Sequence, residues 1–313
     1  MSSISITGVG AYLPRNMIAN ADLPPLDTPL DPSEIERIGV ARRGWASESE
    51  GIAEMAAEAA RVALGRAKLP ASALDLIVLS NWTQRRYIPE FAPRLQALLG
   101  APGSVAFDMC CACAGFLYGV GLAHSFLTSG RFERALVVGS ETTSKRARPG
   151  SKGTLILGDA AGAMVLEREA GRGGRLIDYE LATRGEHHGI MDISADGWVR
   201  THIAQDELNR LAGRSIADIA ARLLLRNRLT LEDIDWIVPH SGTAGVQRAV
   251  ADALGVSPQK VLTNYAQVGN VSSASIPTAL QQFIGEGKIK PGELILSAAV
   301  GTGWYAAGAL YTT

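Results

Sequence analysis

The sequence predicts an α/β protein built from two similar halves, on three observations: short apolar runs of strand type, amphipathic helical stretches between them, and an internal repeat. The runs 4–9 (ISITGV), 74–79 (LDLIVL), 135–139 (ALVVG) and 162–166 (GAMVL) are too short for helices and rich in β-branched residues, so each reads as a buried strand. Over 52–67, Ile52, Met55, Ala56, Ala59, Val62 and Ala63 recur at spacings of three and four, the pattern of one buried helical face. Strands alternating with helices give the α/β class.

The repeat decides the architecture. A shift of 160 residues aligns 57–78 (AEAARVALGRAKLPASALDLIV) with 217–238 (ADIAARLLLRNRLTLEDIDWIV), with eight identities in 22 ungapped positions. Each copy reads as helix, loop and strand. A similar shift sets ALVVG at 135 against LILSA at 294, and GAMVL at 162 against AAGAL at 306. Chance likeness of two amphipathic helices is the competing explanation; two similarly folded halves with a cleft between them is the one adopted. The stretch 185–212 shows no steady period and reads as a long loop with a helical turn or two.

Composition narrows the function. At 313 residues the chain is long enough for two domains or one large body. Its 47 % apolar and 19 % charged residues argue against disorder and for much buried surface. Thirty basic residues against 31 acidic ones leave a net charge of −1, so no electrostatic footprint points to nucleic acid or an anionic membrane. MSSISITGVGAYLP lacks the basic start of a signal peptide, and no run reaches the length of a membrane span. The three cysteines, Cys110, Cys111 and Cys113, lie too close together to staple a large fold; they point to reduced thiols and a cytoplasmic location.

The segment 105–120 (VAFDMCCACAGFLYGV) runs from a strand through small residues into a helical pattern, with Cys113 at the helix start. The positive end of a helix favours a thiolate, which a cysteine nucleophile needs, so a lowered Cys113 pKa is expected. Cys110 and Cys111 read instead as small buried hydrophobes, and C-C-x-C without a nearby histidine does not make a metal set. Of the five histidines only His240 follows directly on a strand (DWIVPHSGT), with Ser241, Gly242 and Thr243 supplying a turn; taken alone, such a histidine is more often structural. His187 and His188 read as a solvated pair. In YAQVGNVSSASIP, Asn270 precedes a helical run from Pro277, although Asn after Gly is also an ordinary turn residue. The bend AVGTGW presents backbone N–H groups at Gly301, Thr302 and Gly303 that could face an oxyanion, or serve simply as a turn.

Together, SITGVGAYLP, FDMCCACAGFLYG, LGDAAGAMVL, WIVPH, GNVSSASIP and the final Gly-rich bend resemble, in order, the thiolase superfamily and within it the β-ketoacyl-acyl carrier protein synthase III enzymes. The resemblance implies the five-layered α-β-α-β-α thiolase fold, with a half at 1–170 carrying the cysteine and a half at 171–313 carrying the histidine and asparagine, and a homodimer. It implies that Cys113 accepts an acyl group, that the backbone of Cys113 and of 301–303 holds the oxyanion, and that His240 and Asn270, as two neutral donors, hold the enolate of a malonyl-type thioester after CO2 loss. No metal or redox cofactor is required. The implied partners are acyl-CoA or acyl carrier protein and a malonyl-type or β-keto thioester.

Four departures from the family pattern bear on substrate. The usual His-Gln-Ala-Asn with an arginine soon after is HSGTAG here, with Gly245 in the arginine's place. The tryptophan and arginine that clamp the adenine of CoA correspond to Ser33 and Lys152, and a hydroxyl with an ammonium does not replace that stack. Ile88 stands where acetyl-preferring relatives often have a Phe closing the partner subunit's acyl pocket, so a longer or branched chain is expected. Thr302 replaces the middle glycine of the final triplet and keeps its N–H. Arg37, Arg42, Arg43, Lys145, Arg146, Arg148 and Lys152 are expected either to meet CoA, phosphopantetheine or carrier protein, or to be solvated surface. The resulting expectation is a cytoplasmic condensing enzyme of a specialised-metabolite or polyketide pathway. The alternatives are a housekeeping fatty-acid initiation synthase, an acyl shuttle that forms no C–C bond, and a non-catalytic subunit that binds carrier protein.

Overall fold

The computed structural model describes residues 3–240 and 242–313. Met1, Ser2 and Ser241, the first residue of the predicted turn after His240, lie outside them. In chain order the strands are β1 (Ile4–Tyr12), the short β2 (Met17–Ala19) and β3 (Arg42–Gly44), β4 (Leu76–Ser80), β5 (Val105–Met109), β6 (Arg134–Thr142), β7 (Asp159–Arg168), β8 (Gly174–Thr183), a small hairpin of β9 (Met191–Ile193) and β10 (Val199–Thr201), β11 (Trp236–Pro239), β12 (Leu294–Gly301) and β13 (Tyr305–Thr312). The helices are α1 (Pro32–Ile38), α2 (Ile52–Ala67), α3 (Ala92–Leu99), α4 (Gly115–Thr128), α5 (Gly153–Ile156), α6 (Gln205–Asn227), α7 (Ala244–Leu254), α8 (Tyr265–Val268) and α9 (Ser275–Gly285).

The duplication is visible in the strand pairing. The first half has the order β5-β4-β6-β7-β1, with β4 parallel to β5 and β6, and β7 antiparallel to β6 and β1. The second half repeats it as β11-β12-β13-β8, with β11 parallel to β12, and β13 antiparallel to β12 and β8. The place of β5 is held there by a single parallel bridge from Ile237 to Val261. The halves join where Ile4–Ile6 of β1 pair antiparallel with Gly174–Leu176 of β8.

Alternation along the strands sorts side chains into three cores and hence five layers. In β4, Ile77 and Leu79 face α2 in one core, while Leu76 and Val78 face α4 and α9 in another. In β11, Val238 faces that same central core, and Ile237 faces a third core under α6 and α7. The order α2, first sheet, α4 with α9, second sheet, α6 with α7 is the five-layered α-β-α-β-α arrangement.

The repeat extends to the backbone. Lys68 (φ 52°) ends α2 and Arg228 (φ 57°) ends α6, both left-handed and 160 positions apart. Ala112 (φ 47°) and Ser272 (φ 50°), also 160 apart, each open a 3-10 turn that leads into a central-layer helix. Left-handed backbone is unfavourable for residues with a Cβ, so its recurrence at matched positions reflects a shared local architecture.

Several expectations change in detail. The strands at 4, 135 and 162 run longer than their apolar runs, and the one expected from 74 begins at Leu76. Val62, placed on the buried face of the first helix, is 40 % exposed; the remaining five named residues are buried. The predicted loop 185–212 is a 3-10 turn (Gly185–Ile190), the β9–β10 hairpin and, from Gln205, the first turns of a 23-residue helix. QDELNRLA hid that helix because only Leu208 and Leu211 bear apolar side chains large enough to mark a face, and both stay partly exposed. Ile77 is wholly buried between neighbours Ala106 and Leu136; Ile77→Ala is expected to lower unfolding free energy by about 2–5 kcal/mol, read from urea denaturation.

Candidate active site

Cys113 sits in the 3-10 turn Ala112–Ala114 between β5 and α4, half-buried. His240 follows the last residue of β11 and is fixed there by its N–H donating to the Ala298 carbonyl at 2.8 Å. Asn270 precedes the matching turn of the second half, its N–H donating to Ile156 O (2.7 Å) while its carbonyl accepts from Gly158 N–H (3.1 Å) and Thr143 Oγ1 (2.8 Å). The structure brings all three to one cavity of about 400 Å3, together with the bend of Gly301, Thr302 and Gly303. That size suits a small-molecule site.

Two close approaches set the geometry. A Cβ on Gly301 would lie 2.8 Å from the Cys113 nitrogen and 2.6 Å from the Cys111 carbonyl, so only glycine lets the bend rest against the cysteine's turn. A Cβ on Gly242, where the family pattern has alanine, would overlap Asn270 Nδ2. The Asn270 amide is oriented by Ser272, whose N–H donates to Oδ1 at 2.9 Å and leaves Nδ2 as the free donor.

Hydrogen bonding also assigns the His240 tautomer. Ser275 Oγ donates its proton to the Ser272 carbonyl (2.8 Å) and therefore accepts from His240 Nδ1 at 2.8 Å. The ring proton is on Nδ1 and the lone pair on Nε2. The expected neutral donor thus requires the proton to move to Nε2, which Ser275 permits by turning its hydroxyl to donate to Nδ1. Burial pushes the His240 pKa down to about 4, keeping the ring neutral.

The lowered Cys113 pKa is not found. Burial pushes the thiol up to about 11; a hydrogen bond from Ser272 opposes this and the Glu141 charge adds to it. Helix α4 begins only at Gly115, and loss of water around the sulfur outweighs the helix end. Cys113 is therefore a thiol at neutral pH and needs a proton acceptor. Glu141 is wholly buried, with Thr83 Oγ1, the N–H groups of Trp82 and Thr83, and Ser273 Oγ donating to it; burial pushes its pKa up to about 7.

Other predicted positions divide. Lys152, Arg146 and Arg148 line the cavity, whereas Ser33 and Arg37 do not. Ser33 lies in the first turn of α1, its N–H bound to Asp31, and Arg37 faces Asp206 at 4.0 Å. Arg43, expected at a surface, is fully buried and donates to the carbonyls of Ile18 and Leu155 and to Asn20 Oδ1. Ile88 is 90 % exposed and outside its own chain's cavity. Cys110 is exposed and Cys111 half-buried, contrary to expectation, because they leave the edge strand β5 toward the surface. His188 is solvated as expected, but His187 lines the cavity edge-on to Trp304, with ring centres 5.3 Å apart. Ser272, Ser275, Glu141 and Trp82 were not singled out from sequence. The signal available was the repeat itself, since Ser272 stands 160 residues after the alanine of C-A-C.

The fold is that of the thiolase-type condensing enzymes. Residues 107–185 match the family 3-oxoacyl-[acyl-carrier-protein] synthase III, and residues 224–313 match its C-terminal region. Among curated relatives, a β-ketoacyl-[acyl-carrier-protein] synthase III of Rhodospirillum rubrum is 36 % identical over 310 residues, 96 % of each chain. The 3-oxoacyl-[acyl-carrier-protein] synthase III of Aquifex aeolicus superposes with a TM-score of 0.92 at 34 % identity, covering 99 % of this chain and 100 % of that one. The priming β-ketosynthase of the R1128 polyketide pathway does so with a TM-score of 0.90 at 27 % identity, covering 99 % and 96 %. The chain belongs to the 3-oxoacyl-[acyl-carrier-protein] synthase III family and is an acyltransferase of the condensing type. Among the described residues no helix is long and apolar enough to cross a membrane.

The neutral state of His240 makes stability depend on pH. Between an unfolded value of 6.5 and a folded value of about 4, the unfolded chain binds the proton and the folded one does not. The His240 contribution is thus complete above pH 6.5 and is lost as pH falls toward 4, amounting to about 3 kcal/mol. Denaturation at successive pH values, wild type against His240→Asn, is expected to show a shallower decline over that window in the variant.

Proposed function

We propose that the chain loads an acyl group from a thioester onto Cys113 and condenses it with a malonyl-type thioester. The observation that carries this reading is the meeting of Cys113, His240, Asn270 and the 301–303 bend at one cavity. In loading, the Cys113 proton passes to His240 Nε2 as the sulfur attacks the thioester carbonyl. The backbone N–H of Cys113 and one from the bend stabilise the oxyanion, each such donor being worth about 3 kcal/mol in comparable sites. Expulsion of the donor thiolate, which takes the proton back, leaves the acyl-enzyme. In condensation the malonyl-type thioester loses CO2, Nδ2 of Asn270 and Nε2–H of His240 hold its enolate oxygen, and the enolate carbon attacks the acyl carbonyl and expels Cys113 as the thiolate, which takes a proton from water to restore the thiol.

The metabolic setting proposed is a specialised-metabolite or polyketide pathway. It is supported by Ser33 and Lys152 in place of the adenine clamp, and by the 27 % identical polyketide priming enzyme. Arg146, Arg148 and Lys152 around the cavity suit the phosphates of CoA or a carrier-borne phosphopantetheine. Fatty-acid initiation from acetyl-CoA and malonyl-carrier protein is the second reading, favoured by the names of relatives at 33–36 % identity.

A homodimer is proposed as well. Edge strand β5 ends the sheet with Val105 51 % exposed, and Tyr87 and Ile88 project beside it with almost no contact to their own chain. An exposed strand edge with apolar side chains invites pairing, and such pairing would let Ile88 close the acyl pocket of the other copy.

Intact mass after incubation with acyl-CoA and acyl-carrier thioesters tests the loading step. Wild type is expected to gain the acyl mass and Cys113→Ala to gain none, and the thioester that loads best distinguishes the two settings. Asn270→Ala is expected to load within a few-fold of wild type yet release CO2 from the malonyl thioester about 10²–10³ times more slowly, while His240→Ala slows both steps. No loading across a broad panel would favour a carrier-binding subunit, and loading without condensation an acyl shuttle. Ile88→Phe is expected to shift loading toward acetyl groups while sedimentation still reports a dimer; a monomeric wild type would remove the partner-gate argument.

A further inference from the structure

One residue touches two members of the candidate site, Asn270 and Cys113, and reaches the third, His240, through Ser275. Ser272, 1 % exposed and left-handed at φ 50°, orients the Asn270 amide through its N–H and accepts through its carbonyl the Ser275 hydroxyl that receives His240. Its own hydroxyl lies between two groups: Trp82 Nε1 at 2.6 Å and Cys113 Sγ at 3.3 Å. An indole nitrogen can only donate. Trp82 therefore occupies one of the two acceptor positions of Ser272 Oγ and fixes the hydroxyl's orientation, and the single hydroxyl proton is directed at the sulfur. Trp82 itself is fixed from behind, its backbone N–H donating to buried Glu141.

We infer that Ser272 is a further catalytic residue and Trp82 its positioning partner: the indole turns the Ser272 hydroxyl onto Cys113 Sγ, where it stabilises the sulfur anion as it attacks and again as it leaves. The hydroxyl keeps its proton throughout; the thiol proton goes to His240 as before. A hydrogen bond to a charged acceptor is markedly stronger than one to a neutral acceptor, so the contact favours the thiolate over the thiol and works against the burial of Cys113. The inference rests on Cys113 being the acyl acceptor. The titratable and charged groups that face the sulfur or its cavity are Glu141 from β6, His240 from the end of β11, His187 from the 185–190 turn, and Arg146, Arg148 and Lys152 from the stretch before α5.

Iodoacetamide alkylation of Cys113, followed by peptide mass to separate it from Cys110 and Cys111, reads the thiolate directly between pH 7 and 10. Ser272→Ala is expected to displace the rate profile upward by about one pH unit, roughly tenfold slower at pH 8. Trp82→Phe, which keeps the ring and removes the N–H, is expected to be about threefold slower at pH 8, and the double variant no slower than Ser272→Ala alone. A Ser272→Ala profile that superimposes on wild type overturns the inference, as does a Trp82→Phe effect that persists undiminished without Ser272. Should Ser272→Ala fail to fold by circular dichroism, Trp82→Phe decides alone, and an unshifted profile overturns. Failure of the underlying reading looks different: wild type would then take no acyl group from any thioester, whatever the alkylation profiles do.

Discussion

The site depends on the contact between two left-handed turns, one from each half of the molecule. Ala112 and Ser272 each adopt a backbone conformation that side-chain-bearing residues avoid, and each does so in the turn that leads into a helix of the central layer. The strain is sustained because both helices, α4 and α9, are packed on two sides by sheet. Pressed together, the turns bring the Cys113 sulfur within reach of the Ser272 hydroxyl. Neither half contains a complete site, and the chemistry arises only at the junction.

Around that contact the duplication has been put to unequal uses. In the first half the turn supplies the sulfur; in the second, the corresponding turn supplies groups that orient, with Ser272 N–H on Asn270 and the Ser272 carbonyl anchoring Ser275 and hence His240. Gly301 then brings the backbone of the last bend against the cysteine's turn, where a single added methyl would collide. The result is a site in which a thiol and an imidazole are both held neutral by burial.

Much of the fold was legible because burial writes a period into the chain. Helix α2 spans Ile52–Ala67, as its threes and fours require, and the 160-residue offset reappears in strand order and in matched left-handed residues. The start of α6 was not legible: its first turns lie on the surface, where no apolar stripe is imposed. Cys113 and His240 stood out as candidates at a helix start and a strand end, and the family resemblance joined Asn270 to them as a set. Arg43 could not be distinguished from a surface arginine, since its partners, the carbonyls of Ile18 and Leu155 and the side chain of Asn20, come from segments far apart in the chain.

The sequence by itself determined the α/β class and the two similar halves and, through its resemblance to a family, the three residues that meet at the cavity, because periodicity and motifs are properties of short segments. Only the tertiary structure decided the state of those residues. Whether Cys113 is thiol or thiolate, which nitrogen of His240 holds its proton, and that Trp82 aims Ser272 at the sulfur all depend on water excluded and partners supplied across the junction. Desolvation and hydrogen-bond direction are set by what lies opposite in space, often more than 150 residues away along the chain.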